Sequence, residues 1–243
     1  MAIDILGEAL LDYQNGNYSE DIVTFLTLNK HLAGEEDTLP LAYLFRTFEE
    51  MPPLEKKALR LCNGTVLDIG CGAGSHSLYL QEKKLSITAL DASKGAIETC
   101  KLRGVEKNIH SKIMDFKGQR FDTLLLLMNG IGIAGTMQKL NALLDHLKTL
   151  LNPDGQILLD SSDLIYMFDE DTDGGHWIPF GDSYYGEVTF RMEYKRRSSK
   201  SFEWLYLDYN TLQNVAHAHN FSCELVSEGN HYDYLARITS KKH

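Results

Sequence analysis

Val66-Leu67-Asp68-Ile69-Gly70-Cys71-Gly72-Ala73-Gly74 is the stretch on which the fold turns. Its first four residues form a short apolar run interrupted by one acid, and the next five place a glycine at every second position. The run reads as a strand, and the glycines as a loop that opens a helix over Ser75 to Glu82. Such a junction presents backbone N–H groups and the positive end of a helix dipole, and the missing side chains let a ligand come close. A tight strand-to-helix turn with no ligand has the same local pattern.

Outward from this junction, Thr65 to Asp160 alternates apolar runs with amphipathic segments, the pattern of βα units in a parallel sheet. The further strands are expected at Ser86–Leu90, Ser111–Met114, Phe121–Leu127 and Gly155–Asp160, and helices at Lys94–Arg103 and Met137–Leu151, the last stopped by Asn152-Pro153-Asp154-Gly155. The Phe121 and Gly155 strands are nearly all apolar at their centres, as where helices cover both faces. After Asp160, aromatic and β-branched residues from Tyr184 to Tyr194 and from Phe202 to Tyr206 flank Lys195-Arg196-Arg197 and read as a β-hairpin with a basic, solvated tip. A helix near Asn210–His219 follows. The final strands, Ser222–Ser227 and Tyr232–Thr239, are separated by Glu228-Gly229-Asn230-His231, too short for a parallel crossover, so they must pair antiparallel. Ahead of the sheet, Ile5, Ala9 and Leu10, then Ile22, Phe25 and Leu26, then Leu41, Leu44, Phe45 and Phe48 recur at helical spacing. The expected architecture is α/β: a doubly wound, seven-stranded, mostly parallel sheet with an antiparallel C-terminal pair, a helical N-terminal extension and a β-hairpin insertion after the fifth strand. Residues 1–61 would cap the same domain, 62–243 would form the Rossmann-like domain, and 161–206 would be the insertion on the acceptor side.

The glycine spacing is GxGxG, at Gly70, Gly72 and Gly74, where dinucleotide-binding proteins carry GxGxxG. Asp68 would repel a pyrophosphate but attract a sulfonium-bearing amino acid, which favours S-adenosylmethionine (SAM). Asp91 in Leu90-Asp91-Ala92-Ser93 ends the second strand, where a carboxylate can accept both ribose hydroxyls or cap the next helix. Asp115, between Met114 and Phe116, can accept from an exocyclic amine while its neighbours sandwich a flat ring. With Leu151-Asn152-Pro153-Asp154-Gly155, these segments resemble the class I SAM-dependent methyltransferases over Thr65 to Asp160. The resemblance implies SAM as cofactor and S-adenosylhomocysteine as product. It assigns Asp68, Gly70, Cys71, Gly72 and Gly74 to the methionine part, Asp91 and Ala92 to the ribose, and Asp115 and Phe116 to the adenine, with Met128 also at the cofactor. The segment Met128-Asn129-Gly130-Ile131-Gly132 departs from the Asn/Asp-Pro-Pro-aromatic signature of methylases acting on base amino groups.

Composition narrows the partners. The chain has 243 residues, 43% hydrophobic, with a formal charge of −10, against any partner held by phosphate neutralisation. Cys62, Cys71, Cys100 and Cys223 lie far apart with no metal-ligand spacing, so no metal is expected. An acidic N-terminus and the lack of a long apolar run make a soluble cytoplasmic protein, without a membrane partner, the expectation. A small-molecule acceptor fits this picture, and a homodimer is compatible with it.

Methyl transfer from a sulfonium needs positioning and desolvation, and a base only if the nucleophile carries a proton to be removed. Ligands sit beyond the carboxyl ends of strands in open α/β sheets, so Asn129, Asp160, Asp163 and Tyr166 should border the acceptor pocket. Asn129 is read as an orienting group or as a cap of the next helix, and His176 as a candidate base. Asp169, Glu170, Asp171 and Asp173, leading into Gly174-Gly175-His176-Trp177, are either an acidic lid for a cationic amine or a solvated loop. Trp177, Tyr184 and Tyr185 can stack on an acceptor or belong to the core. Tyr43 and Arg46 can reach over the cofactor, with Arg46 pairing its carboxylate, or lie on a helical face. Two other functions share the glycine junction. A nicotinamide-dependent oxidoreductase is disfavoured by the glycine spacing and the terminal strand pair, and a non-catalytic SAM-binding regulatory protein would carry the same residues.

Overall fold

The computed structural model describes residues 3–28, 35–168, 176, 178 and 183–241. In chain order the elements are α1 (Ile5–Gln14), β1 (Ile22–Leu28), β2 (Glu35–Leu39), α2 (Leu41–Leu44), α3 (Pro53–Leu61), β3 (Thr65–Ile69), α4 (Ser75–Glu82), β4 (Ser86–Asp91), α5 (Lys94–Leu102), β5 (Asn108–His110), β6 (Phe121–Leu126), α6 (Met137–Thr149), β7 (Leu151–Ser162), β8 (Glu187–Tyr194), β9 (Arg197–Ser198), β10 (Phe202–Leu205), α7 (Tyr209–Ala218), β11 (Phe221–Glu228) and β12 (Asp233–Ser240).

Seven strands form the central sheet in the order β11-β12-β7-β6-β3-β4-β5. β3 pairs in parallel with β4 and β6, β4 with β5, and β6 with β7, whereas β12 pairs antiparallel with both β7 and β11. The chain leaves β3 toward β4 and β5, then returns to the other side of β3 as β6, so the order reverses between β3 and β6. The loops after those two strands diverge there and open a crevice, the usual ligand position in such sheets.

Both faces of the sheet are covered because the strand residues are apolar on both. Leu124 and Leu126 of β6 pack with Leu140, Leu143, Leu144 and Leu147 of α6 and Leu212 and Ala216 of α7. Leu125 and Leu127 face the other way, onto Leu54, Ala58 and Leu59 of α3 and Leu80 of α4. Burial of each such leucine stabilises the fold by about 1.5–3 kcal/mol, which makes this alternation the main determinant of the layering.

The N-terminal segment differs from its helical reading in two places, at β1 and at β2 (Glu35–Leu39). α1, α2 and α3 are helices, but Ile22, Phe25 and Leu26 belong to strand β1. Their i, i+3, i+4 spacing is that of a helix, yet Ile22, Val23, Thr24 and Thr27 are β-branched and prefer extended backbone. β1 finds a partner on each side, β2 and β8, in a second sheet ordered β10-β8-β1-β2, with β9 pairing to β8. β8 and β10 are the expected hairpin arms, joined antiparallel from Phe202–Phe190 to Leu205–Glu187.

The third strand of the main sheet is also displaced. Asn108–His110 makes the pairing with β4, and Ile113–Asp115 is a single 3-10 turn, so the expected strand Ser111–Met114 is not formed. The pairing segment carries polar Asn108 and His110 at the sheet edge and lacks the apolar signal that marked its neighbour. β7 starts at Leu151, ahead of Gly155, because Leu151 already pairs with Phe121 across an irregularity.

α1 is locked to the start of α5. Asp4 accepts from its own helix at Gly7 N (3.0 Å) and from Ser93 Oγ (2.9 Å) and Gly95 N (3.1 Å). A Cβ at Gly95 would lie 2.4 Å from the Gly7 carbonyl carbon, so only glycine permits this approach. The N-terminal segment is thereby held over the loop that follows β4.

Candidate active site

The glycine loop leaves β3 at Ile69 and enters α4 at Ser75. Gly70, Gly72 and Gly74 all have left-handed backbone, with φ of 75°, 53° and 81°, a region that costs a residue with Cβ about 1–2 kcal/mol. The outer position is open: a Cβ at Gly72 would meet no atom of the described residues within 4 Å, whereas one at Gly74 would lie 2.8 Å from Cys100 Sγ. Gly72 therefore faces the space where a ligand can lie, and Gly74 is needed for the packing of α4 on α5. Cys71 is buried between them, its Sγ 3.7 Å from Cys100 Sγ.

Asp68 lies beneath this loop. It is 2% exposed and accepts from Ser77 Oγ at 2.6 Å. Burial pushes its carboxyl above the ordinary aspartate range, against the opposing pull of His76 and Ser77. Asp91, at the end of β4, accepts from Gly72 N (3.0 Å) and Ser93 N (2.8 Å). Burial raises it too, and those two N–H groups work in the other direction. The helix cap is Ser93, whose hydroxyl accepts from Ala96 N at 3.0 Å, which leaves Asp91 tied to the glycine loop. Ala92 is exposed next to it. Beyond β5, Met114 and Asp115 are exposed while Phe116 is buried against Phe121, their ring centroids 6.1 Å apart.

On the other side of the crevice lies a pocket of about 310 Å³ lined by Tyr43, Pro52, Leu54, Glu55, Met128, Asn129, Asp160, Tyr206 and Asp233. Met128 and Asn129 follow β6 in left-handed backbone, φ 60° and 54°. Their N–H groups converge on Asp160 at the end of β7, at 3.1 Å and 2.7 Å. Asp160 is only partly exposed, and burial, reinforced by the charge of Glu55, pushes its carboxyl up to about 7 in spite of those two donors. The Asn129 side chain is held on both ends, donating to Leu205 O (3.2 Å) and accepting from Ser161 Oγ (2.6 Å), so it joins the strand end to the hairpin.

Above the pocket, Arg46 is 5% exposed. Its guanidinium donates to Tyr43 O and Glu55, and lies 4.0 Å from the Tyr43 ring centroid, while its Nε has no partner among the described residues. Glu55 also contacts His76 Nε2 at 2.7 Å. Burial raises the Glu55 carboxyl, but His76 and Arg46 outweigh it and hold the group below the usual glutamate value.

The structure therefore gathers the glycine loop, Asp91 and Ala92 on one side and Tyr43, Met128, Asn129 and Asp160 on the other. His176 is not among the pocket residues: its Nδ1 contacts Phe168 O at 3.0 Å. Asp163 is engaged by Tyr185 OH (2.7 Å) and Ile165 N (2.9 Å), and Tyr166 packs on His231 and Tyr232. Tyr184 donates to Asp208 at 2.7 Å. Asp169, Glu170, Asp171, Asp173, Gly174, Gly175 and Trp177 lie outside the described residues. Among the described residues no group of His, Cys, Asp and Glu could hold a metal, and no helix is long and apolar enough to cross a membrane. Sequence reading missed Glu55, His76, Tyr206 and Asp233; only His76, directly after the glycine loop, had a local signal.

The residues fit SAM. The open face of Gly72 provides a cradle for a ligand, and Asp91 stands at the neighbouring strand end, where ribose hydroxyls can be accepted. Comparison with known proteins agrees. The sequence pattern of the family described as "Methyltransferase domain" matches residues 66–155. A SAM-dependent methyltransferase from Bacteroides fragilis, solved in complex with S-adenosylhomocysteine, is 40% identical over 99% of this chain and 98% of its own, with a TM-score of 0.88. The cypemycin N-terminal methyltransferase of Streptomyces sp is 29% identical over 103 residues, 41% of this chain and 42% of that protein, so the chain spans less than half of this curated relative. The sugar N-methyltransferase KedS8 from Streptoalloteichus sp shares the fold at 16% identity and a TM-score of 0.57, over 78% of this chain and 85% of its own. Junction, strand order and near-full-length kinship converge, and the chain belongs to the SAM-dependent methyltransferases.

Proposed function

We propose that this enzyme transfers the SAM methyl group to a small-molecule acceptor bound in the pocket between Tyr43 and Asp160. The carrying observation is the pocket itself: about 310 Å³, at the lower end of ligand-site volumes, beside the crevice between β3 and β6. A cavity of this size takes a compact acceptor rather than a folded macromolecule, and the net charge of −10 disfavours nucleic acid.

The residue roles follow from position. The Gly70–Gly74 loop lies along the methionine part, Asp91 and Ala92 along the ribose, and Asp115, at the exposed end past β5, reaches the adenine amine. Tyr43 and Arg46 close over the amino-acid end, where the unpartnered Arg46 Nε is a donor for a carboxylate. Asp68 shapes the loop from below through Ser77. Asn129 fixes the Met128 turn. The cofactor supplies an activated methyl group, while these residues orient it and exclude water. Residues 1–61 serve as the cap of this domain. Calorimetry with S-adenosylhomocysteine, followed by a methyl-transfer screen over small amines, alcohols, thiols and carboxylates, tests the reading. Transfer to a small acceptor is expected; transfer only to folded proteins or nucleic acid would overturn it.

A further inference from the structure

We propose that the acceptor is an amine and that Asp160 is the catalytic residue that binds its ammonium form and takes up its proton. This rests on the small-molecule reading above and names the substrate class of the same pocket.

The charge of the pocket carries the inference. Among the described residues, its ionisable lining groups other than tyrosine are Glu55, Asp160 and Asp233, all carboxyls on α3, β7 and β12. The neighbouring Arg46 and His76 both pair with Glu55. Among the described residues, Asp160 thus faces the cavity with no ion pair of its own to balance it. Tyr43 and Tyr206 add aromatic side chains to the lining. An anionic acceptor would be repelled, and an alcohol would gain nothing from the charge.

Asp160 is suited to the chemistry by geometry as well as charge. The Met128 and Asn129 N–H groups engage one oxygen each, so each oxygen keeps a lone pair. Those donors fix the carboxylate at the carboxyl end of β7, beside the crevice. A base that titrates near the working pH is also effective in proton transfer. In the reaction, an ammonium N–H bond breaks and its proton passes to an Asp160 oxygen. The freed nitrogen pair forms the bond to the methyl carbon as the carbon–sulfur bond breaks, and that electron pair returns to sulfur. The proton on Asp160 then leaves to water.

The test compares two cofactor analogues by calorimetry: S-adenosylhomocysteine, and sinefungin, in which an amine-bearing carbon replaces the methylated sulfur. Their difference isolates the ammonium at the methyl position. In the wild type, sinefungin is expected to bind about tenfold more tightly near pH 8, the size of one charge-assisted hydrogen bond. That preference should fade as pH falls through about 7 and Asp160 takes a proton. Glu55, His76 and Asp233 stand in the same positions for both ligands, so their effects largely cancel in the ratio. Asp160→Asn should remove the preference and leave S-adenosylhomocysteine affinity within about threefold. The wild-type pH profile needs no variant and decides the matter if Asp160→Asn does not fold. A preference that is absent, flat with pH, or retained in Asp160→Asn overturns the amine inference while leaving the cofactor reading intact. A wild type that binds neither analogue overturns the cofactor site, and this inference with it.

Discussion

Replacing Glu55 by Gln should destabilise this protein far more than a surface charge change would. Glu55 is 4% exposed, Arg46 is 5% exposed, and His76 contacts the same Glu55 oxygen. Removing one partner of a buried pair costs about 3–5 kcal/mol, because the other charge stays buried without compensation. Gln keeps one carbonyl oxygen for Arg46 or His76 but cannot neutralise the guanidinium. Arg46 also retains the Tyr43 carbonyl and ring. The lower end, about 3 kcal/mol, is therefore expected. For a domain of this size each kcal/mol moves Tm by about 2–4 °C, giving a fall of roughly 6–12 °C at neutral pH. The difference should depend on acidity with a definite sign. The folded Glu55 carboxyl lies below its unfolded value, so its contribution is complete above the ordinary glutamate range and is lost as pH falls through the folded value. Melting curves of the two proteins should accordingly converge toward about pH 3. Thermal unfolding followed by circular dichroism measures this. A Glu55→Gln protein melting within about 2 °C of wild type at pH 7, the range of ordinary surface substitutions, would refute the argument.

Gly72→Ala and Gly74→Ala should separate binding from stability. The first places a Cβ in open space and should weaken S-adenosylhomocysteine binding by more than about tenfold at a cost of only about 1–2 kcal/mol in stability. The second drives a Cβ into Cys100 and should lower Tm by more than the first, as differential scanning calorimetry would show. Asp160→Asn should gain stability relative to wild type as pH rises. The folded carboxyl is raised to about 7, so the wild type becomes less stable through the interval between its unfolded and folded values, by about 2 kcal/mol from pH 5 to pH 8 after allowing for partial exposure. Urea unfolding at the two pH values reads that difference, and any constant cost of the altered turn cancels. Asn129→Ala, which leaves Ser161 Oγ and the Leu205 carbonyl without their side-chain partner, should cost about 2 kcal/mol in the same assay.

What was legible in the sequence was local. β3, its glycine loop and α4 are specified by adjacent residues, and α4 runs over Ser75–Glu82 as the spacing indicates. The terminal pair β11–β12 was readable because a four-residue connection permits one geometry. β1 was not, since its apolar spacing matches a helix and its strand partner β8 lies more than 150 residues away. The Arg46–Glu55–His76 cluster was illegible for a related reason: Arg46 after α2, Glu55 on α3 and His76 on α4 meet only in the tertiary fold, and no motif joins them. Asn129 was visible as a polar residue at a strand end, but its bonds to Ser161 and Leu205 depend on the hairpin insertion packing back on the sheet.

Titrating S-adenosylhomocysteine into the wild type and Gly72→Ala by calorimetry reports on the SAM site of the glycine loop itself. One site per chain is expected in the wild type, and binding weakened by more than about tenfold in the variant. No binding to the wild type, or equal affinity in both proteins, would contradict it.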